Sequence, residues 1–158
     1  MPDIYARIIE DHNKHRTLLA GIATSQGDFD QRRSLWEQFY YDVKAHSAAE
    51  EETFYSKLMK NSEGQDPARH SVAEHKEMDD IIDDLEEMDI ESPGWLNRFA
   101  TLKHDYEHHM DEEEKEIFGK AREIFSDSEA VKFAGQFSLR KEAELELVDE
   151  KAKEKLED

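Results

Sequence analysis

The stretch FATLKHDYEHHMDEEEKEIFGKA, residues 99–121, decides how this chain folds. Phe99, Leu102, Tyr106, Ile117 and Ala121 recur at spacings of three and four, which trace one face of an α-helix. His109 and Glu113 fall on that same apolar stripe. Turning the helix to bring His108 and Glu112 inward would bury Asp105, Lys115 and Glu116 and expose Tyr106 and Ile117. The stripe therefore selects His109 over His108, and the segment reads as a helix carrying an imidazole and a carboxylate on its core face.

The same period extends outward through the chain, while the strict alternation of a strand is hard to find. A first helix spans about 3–24, with Tyr5, Ile8, His12, His15, Leu19 and Ile22 on its stripe. A second spans about 30–61, with Trp36, Phe39, Val43, His46, Glu50, Phe54 and Leu58. A third, about 68–88, carries Val72, His75, Asp79, Ile82 and Leu85. The fourth runs to about Phe125 from a break in which Ser92 is the expected cap and Pro93 the first helical residue. The other breaks lie at 25–28, where Asp28 or Asp30 is the expected cap, and at 61–67. Connections this short make neighbours antiparallel, so the expected fold is an all-α, up-down-up-down four-helix bundle over residues 1–125. Residues 126–158 read as an extension, with an additional helix over about 128–148 that packs on the bundle or on a partner chain. From Asp149 onward the last ten residues are nearly all charged and are expected to fray.

Composition narrows the function. The 158 residues contain 40 acidic and 21 basic side chains, a formal charge of −19, which runs against nucleic acid and anionic membrane surfaces as partners. Cysteine is absent, which removes disulfides, thiolate catalysis and cysteine-ligated metals together. No apolar run approaches the roughly 18 residues of a membrane span, and the expected location is cytoplasmic.

His12, His15, His46, Glu50, His75, His109 and Glu113 thus occupy positions that should be apolar. Histidine followed by an acid four residues later is weak evidence alone in so acidic a chain; His70 with Glu74 and His108 with Glu112 match it too. The shared level is stronger. At a rise of about 1.5 Å per residue, His12, His75, Glu50 and Glu113 fall roughly 13–17 Å from one end, with His46 and His109 about one turn further. Burying such groups unpaired costs several kcal/mol for each ion, which one or two bound metal ions would offset. Imidazole nitrogen with carboxylate oxygen and no sulfur suits iron, manganese or zinc. The Glu-x-x-His of ferritin-like bundles and the zincin His-Glu-x-x-His are both missing. His70, His104 and His108 read as solvated, Glu51, Glu52, Glu112, Glu114 and Glu116 as mostly a hydrated outer face, and Tyr106 as packing near the pocket.

Asp11-His12, His46 to Glu50-Glu51, Glu74-His75 and His109 to Glu113-Glu114 together resemble the hemerythrin-like, or HHE cation-binding, domain. Phe54-Tyr55 and Ile117-Phe118 follow their histidines at the family's offset, and the resemblance covers about residues 3–125. It implies a non-haem centre of two iron ions, oxo- or hydroxo-bridged, ahead of manganese or zinc. By the same resemblance His12, His46, His75 and His109 are terminal ligands and Glu50 and Glu113 bridge. Its ligand would be dioxygen, peroxide, nitric oxide or a similar small molecule.

The chain also departs from the oxygen carriers of that family. They pair two histidines four apart in helix three, where this chain has His75 and Asp79, and place an Asp five after the helix-four histidine, where it has Glu114. More carboxylate favours the ferric state, which argues against simple oxygen carriage. His15 and Asp79 are candidates for a further coordination position, His15 equally for a supporting donor. Besides a di-iron protein that processes or senses oxygen species or handles iron, two readings stand. One is a binding module with a structural metal and an acidic surface or tail that engages a protein. The other is a metal-free helical protein with a pH-sensitive histidine network. No nucleophile–base arrangement supports hydrolysis, and whether the protein is an enzyme stays open.

Overall fold

The computed structural model describes the backbone of residues 1–157 and the side chains of residues 1–149. It is helical throughout, with α1 at Ile4–Ala23, α2 over 29–58, α3 at Gln65–Glu87, α4 over 93–124 and α5 at Asp127–Glu157. The first four form the expected antiparallel bundle, and α5 lies along α1 and α2. The helix continues through Glu157 where fraying is expected from Asp149 onward, and the side chains after Asp149 lie outside the described residues. Among the described residues no helix is long and apolar enough to cross a membrane.

The ends of the helices follow from their capping residues. Asp3 accepts from the amide of Ala6 at 2.9 Å and Asp28 from that of Gln31 at 3.1 Å, each satisfying a donor of a first helical turn. Ser92 precedes Pro93, which opens α4 where a missing N–H costs nothing. Ser126 and Glu129 form a reciprocal capping box: the Glu129 amide donates to Ser126 Oγ, and the Ser126 amide donates to Glu129 Oε1. Helix α3 begins at Gln65, earlier than the break ending at Pro67 suggests, because a proline fits within a first turn.

At the end of the bundle where α1 turns into α2, the buried Arg32 ties two loops together. Its guanidinium donates to Ser25 Oγ at 3.0 Å, to the Ile90 carbonyl at 2.7 Å and to the Gln26 carbonyl. Gln26 adopts the left-handed conformation at φ 47°. At the opposite end Gly64 lets the α2–α3 connection close tightly. A Cβ there would collide with the Leu58 carbonyl oxygen. Gly64→Ala is expected to cost about 1–3 kcal/mol, read as a lower midpoint in urea denaturation; an unchanged midpoint would show that the turn can open freely.

The apolar core divides into two clusters. One, built around Leu19, Trp36, Phe39, Ile82, Trp95 and Phe99, lies at the Arg32 end. The other, around Ile4, Ile8, Phe54, Tyr55, Phe118 and Phe137, lies toward the chain's first residues and includes α5. The polar residues singled out in the sequence occupy the layer between them.

Two stretches depart from α-helical winding. Residues Glu51–Tyr55 of α2 and Glu113–Ile117 of α4 are π-helical, closed by bonds from the Ser56 amide to the Glu51 carbonyl and from the Phe118 amide to the Glu113 carbonyl. One widened turn begins directly after the buried Glu50 and the other at the buried Glu113, and such turns cluster at functional sites.

Candidate metal centre

Six residues expected at one level do converge. His12, His46, Glu50, His75, His109 and Glu113 are all buried, with both glutamates at 0% exposure. Glu50 reaches two helices at once: Oε2 lies 3.1 Å from His46 Nε2, and Oε1 lies 3.2 Å from His75 Nε2. Glu113 mirrors it, with Oε1 3.1 Å from His12 Nε2 and Oε2 3.5 Å from His109 Nε2. The donors fall into two groups that share Glu50. Glu50, His75, His109 and Glu113 form one, and His12, His46 and Glu50 the other; within each, ligand atoms lie within 4.8 Å of one another.

These short distances are not ordinary hydrogen bonds. Among the described residues, His12 Nε2, both carboxylate oxygens of Glu50 and Glu113 Oε1 are buried without a hydrogen-bond partner. A buried carboxylate in that condition is costly unless a cation meets it. The donor set therefore fits a metal ion, and its lack of sulfur suits iron, manganese or zinc.

The other nitrogen of each histidine is held by a carboxylate of the preceding helix. Asp11 of α1 accepts from His46 Nδ1 at 2.8 Å, and Glu51 of α2 accepts from His75 Nδ1 at 3.1 Å. Glu74 of α3 accepts from His109 Nδ1 at 2.9 Å, and Glu114 of α4 accepts from His12 Nδ1 at 2.7 Å, closing the ring. Each of these acids neighbours a converging residue of its own helix, so one turn presents one group inward and one sideways. Holding Nδ1–H in this way fixes the tautomer and points each Nε2 lone pair inward. This corrects the expectation that Glu51 and Glu114 belong to the hydrated outer face. Their signal was present in the doublets Asp11-His12, Glu50-Glu51, Glu74-His75 and Glu113-Glu114.

Charge follows the same geometry. Burial disfavours a charged His12, but the carboxylates of Glu113 and Glu114 outweigh it and raise its pKa to about 9. His75 behaves alike: Glu50 and Glu51 overcome burial and raise it to about 10. Glu50 is held well below the usual carboxylate range, the imidazoles of His46 and His75 overriding its burial. Without a metal, protons on His12 and His75 offset the carboxylates that face them.

His15 and Asp79 lie outside this set. The buried His15 donates through Nε2 to Asp42 at 2.6 Å and accepts through Nδ1 from the Tyr106 hydroxyl at 2.7 Å, so neither nitrogen faces the centre. Burial lowers its pKa to about 4 despite the facing Asp42, which keeps the ring neutral. Asp79 is half exposed and pairs with Lys44 at 3.2 Å. Tyr55, which the sequence marks only as part of the motif, donates its hydroxyl to Glu113 Oε2. Burial and the carboxylates of Glu113 and Glu50 hold that phenol well above its ordinary pKa, so it remains a donor.

Helix α5 also reaches the centre. Phe137 packs edge-on against the His46 ring at 5.4 Å, and the buried Lys141 places Nζ 3.0 Å from both Asp11 Oδ2 and Asp42 Oδ1. Lysine in so charged a segment gives no sign in the sequence that it turns inward. Asp11→Asn keeps the shape of this contact but weakens the acceptor for His46 Nδ1–H. Metal affinity is expected to fall roughly 10- to 100-fold in equilibrium dialysis, and an unchanged affinity would deny Asp11 that role.

The hemerythrin HHE cation binding domain model matches residues 3–121 of the chain. The chain belongs to that family. A crystal structure of a hemerythrin HHE cation binding domain-containing protein from Mycobacterium kansasii shares the fold, with a TM-score of 0.86 over 97% of this chain and 93% of that one at 21% identity. An uncharacterised hemerythrin-like protein of Schizosaccharomyces pombe is 25% identical over 143 residues, 89% of this chain and 70% of its own length. A DNA nickase of Nostoc is 25% identical over 131 residues, 83% of this chain; the match spans 37% of the nickase. Membership of a cation-binding family and the buried clusters of histidine and carboxylate together support metal binding.

Proposed function

We propose that this HHE-domain chain is a non-haem di-iron protein whose centre binds or reacts with dioxygen, peroxide or nitric oxide, or serves iron handling and sensing. His12 and His46 would hold one ion and His75 and His109 the other, with Glu50 and Glu113 between them. The observation that carries the reading is the set of buried donor atoms that have no hydrogen-bond partner among the described residues where four helices meet. Bound iron supplies one-electron chemistry and affinity for small oxygen and nitrogen species.

The protein's own residues do the rest. The ring of Asp11, Glu51, Glu74 and Glu114 orients the imidazoles and enriches them in electron density. Tyr55 keeps its proton and steadies Glu113 through a hydrogen bond. Burial of all six residues excludes bulk water and limits what reaches them to small molecules. DNA cleavage, the activity in the Nostoc relative's name, runs against a formal charge of −19.

Expression with iron supplied, followed by metal analysis and near-ultraviolet absorption, tests the proposal. Two iron ions per chain with iron charge-transfer bands are expected, both lost in His46→Ala and in Glu113→Ala. A well-folded protein indifferent to added iron would end it.

A further inference from the structure

A second group of donors lies on the outer faces of α3 and α4. His70 Nε2 stands 2.8 Å from Glu112 Oε1 and 3.5 Å from Glu74 Oε1, and His108 Nε2 stands 3.4 Å from Glu112 Oε2. Ligand atoms of His70, Glu74 and Glu112 all fall within 4.8 Å of one another. Both histidines belong to His-x-x-x-Glu pairs, one on each helix, and a spacing of four puts each pair on one helical face. The two imidazoles are more than half exposed, at 54% and 68%, while the two carboxylates are only 20% exposed. Among the described residues neither Glu74 nor Glu112 is paired with a lysine or arginine; both face imidazoles.

We propose that His70, Glu74 and Glu112, with His108 one turn away, form an outer site for a single divalent transition-metal ion such as zinc. Two half-buried carboxylates without a fixed cation supply the attraction in a chain already strongly negative. Imidazole nitrogen among the donors favours such an ion over magnesium or calcium, which take oxygen. Open solvent on one side leaves water to complete the coordination.

This site touches the buried centre through one atom. Glu74 Oε1, 3.5 Å from His70, is also the oxygen that accepts from His109 Nδ1 at 2.9 Å. An outer cation draws charge from that oxygen and loosens its hold on the His109 ring. Filling one site therefore weakens binding at the other, reciprocally. The coupling rests on the di-iron reading, whereas the outer site does not.

The test is a zinc titration of the iron-loaded protein, with bound zinc measured by equilibrium dialysis. One further equivalent is expected. Its affinity should fall roughly 10- to 100-fold in His70→Ala and in Glu112→Gln and hold in His104→Ala, whose ring is 84% exposed and outside the cluster. Unchanged far-ultraviolet circular dichroism confirms that these surface variants fold. The absence of a further equivalent, or one indifferent to His70→Ala, overturns the site. If the chain takes no iron, the same titration is made on the metal-free protein. Zinc lost in His70→Ala but kept in His46→Ala then supports the outer site, and zinc lost in His46→Ala alone overturns it.

Discussion

Iron(II) added to the metal-free protein raises its thermal midpoint by several degrees, and by more as the pH rises. At free iron about 1,000-fold above the dissociation constant, one site contributes about 4 kcal/mol. At about 2–4 °C per kcal/mol for a chain of this size, the midpoint moves by roughly 8–16 °C. The pH dependence has two opposed parts. In the metal-free protein His12 and His75 have pKa values raised to about 9 and about 10. Their stabilisation is complete below the unfolded value of about 6.5 and is lost as pH climbs through 9 and 10. His15, lowered to about 4, acts in the other direction, because its burial destabilises the fold as pH falls from about 6.5 toward 4. The metal-free protein is therefore most stable around pH 6.5.

Iron must displace the histidine protons, so its affinity grows across the window in which the metal-free fold weakens. Loading at pH 7.5 is expected to release at least about two protons per chain, from His12 and His75, with His46, whose pKa is also raised, adding to them. Scanning calorimetry from pH 5 to 9.5, with and without iron, and a proton-release titration check both statements. A midpoint that iron leaves unmoved, or moves equally in Glu113→Ala, would contradict them.

Lys141→Met lowers stability and loosens the metal site together. Lys141 is a buried cation between two buried carboxylates, 3.0 Å from each, and its loss leaves them partly uncompensated. Breaking a buried pair costs about 3–5 kcal/mol. Arg7 and Lys14 still reach Asp11 and Asp42, which places the expected loss near the low end, about 3 kcal/mol. The thermal midpoint should drop by roughly 6–12 °C. Asp11 also accepts from His46, so metal affinity should fall roughly 10-fold or more as that acceptor shifts. Arg140→Met supplies the contrast on the same helix. Arg140 pairs with Glu52 at 2.6 Å on the surface, where such pairs contribute about 0–1 kcal/mol. Equal losses in the two variants would show that Lys141 acts only as one more surface charge.

Four helices, their order and the level at which His12, His46, Glu50, His75, His109 and Glu113 meet are all legible in the chain. Each depends on local regularities: a helix rises by a constant step, short connections force antiparallel neighbours, and a polar residue on an apolar stripe has nowhere to face but inward. The helix starts at Asp28 and Ser126 are equally local, since capping involves only the next turn, and Pro93 opens α4 although Ser92 makes no side-chain cap bond. The supporting acids stand in doublets beside the core positions, but their role is not legible in the sequence.

What a side chain of intermediate length touches is a different matter, because it depends on the distance and rotation between helices rather than on position along one. Glu51 and Glu114 read as solvated by their own helices, yet the neighbouring helix brings a histidine nitrogen to each. His15 sits on the same stripe as His12 one turn on, and only the approach of Asp42 and Tyr106 occupies both of its nitrogens. Lys141 lies in the helix expected to pack on the bundle or on a partner chain, where nothing local marks which of its charges turns inward, and it becomes an internal cation because α5 settles on α1 and α2. The widened turns after Glu50 and at Glu113 likewise carry no local residue code. They arise where packing around the glutamates competes with regular winding, and that balance is struck by the assembled bundle.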